Sequence, residues 1–180
     1  MKFPNGVVEL KNKEKYCFKP YQKDYIKQFN FEKRILQKIF NKNVKIDHFG
    51  STAVPGLGGK GIIDVSVEVS KKDFLKSKKI LEKNGYHFKP QSKKRFFFKK
   101  YYKNRKVHVH LVYKGTTEFM RAIAVRDYLI RNKKEAKKYA NIKKKAVKHA
   151  DGIGQKYRDY KKPYLENLEK KALKHYKIKT

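Results

Sequence analysis

The sequence predicts an α+β domain, a small sheet followed by a helical region, on three observations. Apolar and polar residues alternate with period two over residues 62–69, and residues 95–102 and 106–113 are two further strand candidates. Apolar residues recur with helical spacing over residues 20–40 and again from residue 116 onward. A loop with five glycines and a proline, residues 50–61, joins the first two strand candidates.

Taken in order, Tyr25, Phe29, Leu36 and Phe40 fall at steps of four, seven and four with Lys and Glu between them, an amphipathic helix. Val44 and Ile46 alternate with Lys45 and Asp47 in a short strand that runs through His48 and Phe49 into the glycine loop. In Ile62–Val69, Ile63, Val65, Val67 and Val69 share one face, while Asp64, Ser66 and Glu68 share the other. A helix is expected over 71–84 with Phe74 and Leu81 inward, ending at Asn84-Gly85, a left-handed cap. Residues 95–102 and 106–113 read as a hairpin across a Lys103-Asn104-Arg105 turn. The last third is helical: Ala122, Val125 and Leu129, then Ala136, Tyr139, Ala140 and Val147, then Leu165, Leu168 and Ala172, with Pro163 in a first turn. No repeat or Pro/Ser-rich linker divides the chain, so residues 1–180 are expected to form one domain, with a 1–116 core and a 117–180 helical region.

Composition narrows the class. The 180 residues hold 49 Lys plus Arg against 16 Asp plus Glu, a net charge of +33. About a quarter of the residues are Leu, Ile, Val or Phe, above the level of disordered chains. The lone Cys17 excludes an internal disulfide framework and a multi-thiolate zinc site, and suits a reducing cytosol. No run reaches the ~18 apolar residues of a spanning helix, and the first sixteen residues lack the apolar stretch of a signal peptide. A basic cytoplasmic protein with no membrane association is expected.

The charge is uneven. Residues 83–117 carry eleven Lys or Arg and no acid, and residues 133–180 carry 17 basic against 5 acidic groups. Both stretches are interleaved with Tyr101, Tyr102, Tyr113, Tyr157, Tyr160 and Tyr164, the makeup of surfaces that bind RNA or another polyanion. Since Lys supplies 42 of the 49 cations, a lysine-rich composition with solvated helix faces explains the same numbers. Residues 48–82 are nearly balanced, which draws attention to their acids.

Gly50-Ser51 follows one strand and Asp64 stands on the polar face of the next. A Gly-Ser turn offers backbone N–H groups and a hydroxyl to phosphate oxygens, and a nearby carboxylate can hold a divalent ion against that phosphate. This is the minimal plan of a metal-assisted nucleotidyl transfer site; an ordinary turn before a strand is the plainer explanation. The run HFGSTAVPGLGGKGIIDVSVEV, residues 48–69, resembles the signature of the GrpB-like family, a branch of the nucleotidyltransferase superfamily with the polymerase-beta-like fold. RFFFKK from Arg95, VHVHLV from Val107, VRDYLIRN from Val125, KKYANIKKKAV from Lys137 and the closing DGIGQKYRDYKKPYLENL follow in the family's order, so the resemblance spans roughly residues 20–170.

The resemblance implies a small mixed sheet of the nucleotidyltransferase type. It also implies a nucleoside triphosphate bound with Mg²⁺ or Mn²⁺ and, where activity survives, transfer of a nucleoside monophosphate to an unnamed acceptor. Gly50, Ser51 and Asp64 match the superfamily's Gly-Ser and first acid, and Thr52 adjoins them as a phosphate-binding candidate. The second acid is absent: position 66 is Ser, a poor Mg²⁺ ligand. Glu68 lies four residues from Asp64, about 13 Å along a strand, too far to share one ion. Where a third acid is expected stand His108 and His110, on one face by period two. Either they join Asp64 in an altered metal or acid–base site, with Asp64 and His110 the metal ligands, or the cleft only binds a phosphate ligand; a pair of polar surface histidines is the plain alternative. Lys60, Arg95, Arg126 and Lys161 sit within the resembling motifs and are candidates to neutralise triphosphate charge, each with a tertiary ion pair or solvent as its rival.

Overall fold

The computed structural model describes residues 17–41, 44–90 and 95–178; the signal-peptide reading of residues 1–16 falls outside them. Helix α1 (Asp24–Ile39) lays Tyr25 and Leu36 into the core, with Phe29 packed beside them. The same stripe carries Glu32, which is fully buried and whose carboxylate accepts hydrogen bonds from the hydroxyls of Tyr86 (2.5 Å) and Tyr102 (2.8 Å), with Arg105 at 3.8 Å. A buried carboxylate is tolerated here because two donors and a guanidinium replace its water.

Strand β1 (Lys45–Phe49) is followed by a 3₁₀ turn, Ser51–Ala53, the glycine loop and β2 (Ile62–Val69). Helix α2 (Phe74–Lys83) ends at Gly85, whose φ of 78° is the expected left-handed stop. Strands β3 (His87–Lys89), β4 (Phe96–Tyr102) and β5 (Arg105–Tyr113) complete a sheet of order β1-β2-β5-β4-β3, parallel between β2 and β5 and antiparallel elsewhere. The expected small mixed sheet is present. β3 was not anticipated: it is a three-residue edge strand closed by Pro90, too short for a periodic signal. The hairpin turn is one residue shorter than expected, because Arg105 already pairs with Tyr102 in the ladder.

Period two gives the sheet two distinct faces. Ile63, Val65, Val67, Val107, Val109 and Leu111 pack into the core that includes residues of α1 and α2. The other face presents, in register across the strands, Phe49–Asp64–His108–Lys99 and Asp47–Ser66–His110–Phe97. Helices α3 (Thr117–Arg131), α4 (Lys133–Ala150) and α5 (Gly154–His175) close over part of that face. Val54 and Leu57 of the glycine loop pack with Leu129, Ala136, Tyr139 and Leu168 and tie the loop to these helices.

Pro163 stands well inside α5, not in a first turn. The helix starts earlier because Tyr157, buried against Ala146 and Ala150 of α4, anchors two turns ahead of the proline, and Pro163 itself is exposed. In α3 the buried positions are Phe119, Ala124 and Leu129, whereas Ala122 and Val125 line an open cleft. Among the described residues no helix is long and apolar enough to cross a membrane.

Candidate functional site: a basic cleft between sheet and helices

Polar residues on the open sheet face, the glycine loop and the inner sides of α3, α4 and α5 enclose a cleft of about 670 Å³. Nine of the residues singled out from sequence line it: Gly50, Ser51, Lys60, Asp64, Arg95, His108, His110, Arg126 and Lys161. They come from segments more than a hundred residues apart, so the fold is what brings them together.

The floor is Asp64 and its two histidines. His108 Nδ1 lies 3.3 Å and His110 Nε2 3.8 Å from the same oxygen, Asp64 Oδ1. The parallel register of β2 and β5 sets Asp64 beside His108 and leaves His110 one pleat along on the same face. Burial alone would raise the Asp64 carboxyl, but the hydrogen bonds and charges of His108 and His110 outweigh it and hold the group below the usual carboxylate range. Burial lowers the His110 imidazole against the pull of Asp64, and its ring is flanked edge-on by Phe49 and Phe97. A carboxylate that orients a histidine within an apolar frame suits proton transfer.

Gly50 makes the approach of the turn to this floor possible. Its φ of 74° is left-handed, and a Cβ there would sit 2.5 Å from Asp64 Oδ2. Gly59 plays the matching part opposite, where a Cβ would run into the Ser51 hydroxyl and come within 3.4 Å of Lys143 Nζ. Thr52, by contrast, is 1% exposed and faces inward: its hydroxyl donates to the Ile62 carbonyl (3.0 Å). That uses its one proton, so His48 Nε2 (3.0 Å) donates to Thr52. Burial pushes the His48 imidazole down to about 4, consistent with a neutral ring stacked on Phe29. Thr52 is thus a strut beneath the turn rather than a wall of the cleft.

The cations divide into two groups. Arg126 donates to the His48 carbonyl (2.7 Å) and to Asp127 (2.7 Å) and lies 3.9 Å from Asp47, the tertiary pairing that sequence left open; it fastens α3 to β1 at the cleft's edge. Arg121 is similarly held by Glu169 at 3.1 Å. Lys60 and Lys161 lie over the Tyr157 ring at 5.3 and 5.7 Å, and Lys143 lies 4.9 Å from the centre of Tyr139. Burial lowers all three lysines; Asp64 pulls each back upward, and Lys161 pushes Lys60 and Lys143 down.

Lys143 was missed in the sequence. It is 3% exposed, its Nζ donates to the Gly58 carbonyl, and burial brings it down to about 7. It hides within the run Lys143-Lys144-Lys145, yet Ala136, Tyr139, Lys143, Ala146 and Ala150 form one buried helical stripe. A lysine on an apolar stripe was the available signal.

The expected second-acid position stays without a carboxylate in the cleft. Ser66 is fully buried with its hydroxyl directed at the Asp47 carbonyl (3.4 Å), and Glu68 does not line the cleft. Among the described residues no three His, Cys, Asp or Glu side chains are arranged to hold a metal ion. The residues therefore do not make a preformed divalent site, and one carboxylate with two imidazoles is a poor donor set for Mg²⁺.

A mixed-sheet α+β protein with a lysine-rich cleft between its sheet and its helices is the class that this fold and site define. Comparison with known proteins makes it particular: the pattern of the GrpB protein family matches residues 17–171, and the chain belongs to that family. It is 33% identical over 84% of its length to a UPF0157 protein of Halalkalibacterium halodurans, covering 80% of that protein. It matches the crystal structure of conserved protein GrpB from Enterococcus faecalis with a TM-score of 0.78 and 33% identity, over 89% of this chain and 99% of that one. The RNA terminal uridylyl transferase Cid1 is a distant match, with a TM-score of 0.47 and 17% identity over 71% of this chain and 39% of its own.

Proposed function

We propose that the cleft binds a nucleoside triphosphate and that the chain transfers a nucleoside monophosphate to an acceptor, in the reducing cytosol that suits its lone cysteine. The observation that carries this reading is the closure of the Gly50-Ser51 turn onto Asp64 opposite Lys60, Lys143 and Lys161. A phosphate chain is the ligand that satisfies such a set: small backbone at the turn admits the oxygens, and the lysines neutralise them out of bulk water.

In this reading the acceptor's oxygen attacks the α-phosphorus, the bond to the β-phosphate breaks and pyrophosphate leaves toward the lysines. His108, oriented by Asp64, takes the acceptor's proton. Asp64 is the carboxylate on the cleft floor that would hold a Mg²⁺ or Mn²⁺ bound with the triphosphate, and the ion would supply further charge neutralisation. Isothermal titration of each nucleoside triphosphate with Mg²⁺ or Mn²⁺, on the native protein and on Asp64→Ala, tests the reading. Metal-dependent binding lost in the variant is expected; no binding of any triphosphate to the native protein overturns it.

One observation favours a second reading, a noncatalytic binding protein with an eroded site: the buried Ser66 where a carboxylate is expected. Ser66→Asp separates the two. Transfer that rises in the folded variant marks the native cleft as eroded, and transfer that is abolished marks Ser66 as part of a working design.

A further inference from the structure

The cleft has two unlike ends. At one, Lys60, Lys143, Arg158 and Lys161 gather closely enough that Lys161 and Arg158 push the Lys60 amine down and Lys161 pushes down Lys143. Lys60 leads into Ile62, one pleat before the Asp64–His108 line of the sheet. The His110–Phe97 line lies one pleat past it on the same face, about 7 Å in the opposite direction. Beyond that line comes the first part of α3: Phe49 sits 4.9 Å from His110 and 6.3 Å from Phe119, ring centre to ring centre. Glu118 and Arg121 of α3 line the cleft at this second end, with Glu169 of α5. Along α5, Glu169 stands about 12 Å from Lys161 at helical rise. With the α-phosphate at Asp64 and the other two phosphates toward the lysines, the nucleoside is left to lie over His110 and Phe97, pointing at Glu118 and Arg121.

Glu118 and Arg121 are three residues apart on one helix face, a spacing at which opposite charges usually pair. They do not pair here. Arg121 gives an N–H to Glu169 at 3.1 Å, and Glu118 has no hydrogen-bond or ion-pair partner. The wall thus presents an acceptor-only carboxylate beside a donor-only guanidinium, next to the apolar Ala122, Val125 and Leu165. A flat ring with acceptors on one edge and donors on the next satisfies both groups. Guanine is the base with that pattern: O6 and N7 accept from a guanidinium, while N1–H and the 2-amino group donate to a carboxylate. Adenine sets an amino group beside N7, where a donor-only guanidinium has nothing to give it. Cytosine and uracil offer a carboxylate a single N–H group rather than two side by side.

We propose that the cleft selects a guanine nucleotide, with Glu118 accepting from N1–H and the 2-amino group and Arg121 donating to O6 and N7. This selectivity rests on the reading of the cleft as a triphosphate site. Isothermal titration of the native protein with GTP, ATP, CTP and UTP, each with Mg²⁺, tests it. GTP is expected to bind at least about tenfold more tightly than ATP, the discrimination of one good bidentate contact. Inosine triphosphate, which lacks only the 2-amino group, is expected to bind about fivefold more weakly than GTP. Glu118→Gln and Arg121→Gln are each expected to cost GTP about fivefold or more and to change ATP less than about twofold. Lys161→Ala, at the phosphate end, is expected to weaken all four triphosphates alike. The ratio of GTP to ATP affinity is therefore the decisive readout, because a merely structural role of Arg121 would weaken every triphosphate equally. Equal binding of the four triphosphates, inosine triphosphate bound as tightly as GTP, or a ratio unmoved by both glutamine variants would each overturn the proposal and leave the triphosphate site standing. No triphosphate bound at all would overturn that site and the selectivity with it.

Discussion

Lys143 shows how much one side chain can decide. The unfolded chain leaves its amine near 10.5, while burial in the fold lowers it to about 7. Below pH 7 both states carry the proton and the folded state bears the full cost of a buried charge. Between pH 7 and 10.5 the folded protein releases the proton first, so that cost is lifted as pH rises. Thermal unfolding of the native protein and Lys143→Met across this window is expected to shift in favour of the native protein with increasing pH; a constant difference would contradict the assignment. Sequence pattern made Gly50, Ser51, Asp64, His108 and His110 legible, because loop glycines and period-two strands carry their own signal. It did not reveal Lys143 or Glu32, whose burial depends on partners, the Gly58 carbonyl and the Tyr86 and Tyr102 hydroxyls, far away in the chain. Nor did it show where the Thr52 hydroxyl points, toward Ile62 and His48, because adjacency to Ser51 says nothing of how a 3₁₀ turn aims its side chains.

Among the elements, α5 departs furthest from local rules. Pro163 in its interior removes a backbone donor and crowds the preceding turn, a defect of about 3 kcal/mol in an isolated helix. The turns ahead of it persist because Tyr157 is buried against α4, and they carry Arg158 and Lys161 into the cleft. Pro163→Ala is expected to raise the thermal midpoint by at least about 2 °C, since the proline is exposed and alanine restores the missing backbone donor; a lower midpoint would show that the proline is needed for docking on α4. The long amphipathic helix and the paired strands were readable from periodicity. β3 and the true start of α5 were not, because one is too short to show a period and the other is set by tertiary contact.

At the scale of the whole molecule, the charge of +33 ceases to be featureless once the fold sorts it. Many lysines remain on exposed helix faces, but the cleft gathers the largely buried Lys60, Lys143 and Lys161 around Asp64. The sequence foretold a sheet with helices and a Gly-Ser turn near an aspartate; the three-helix wall that makes a cleft of them is a product of topology. The most direct test is a crystal structure of the protein with a non-hydrolysable nucleoside triphosphate analogue and Mg²⁺. Density for the phosphates between the Gly50-Ser51 turn and Lys60, Lys143 and Lys161, with the α-phosphate facing Asp64 and His108, is the expected result. An analogue seated elsewhere, or an empty cleft at saturating analogue, would contradict the nucleotide-binding reading.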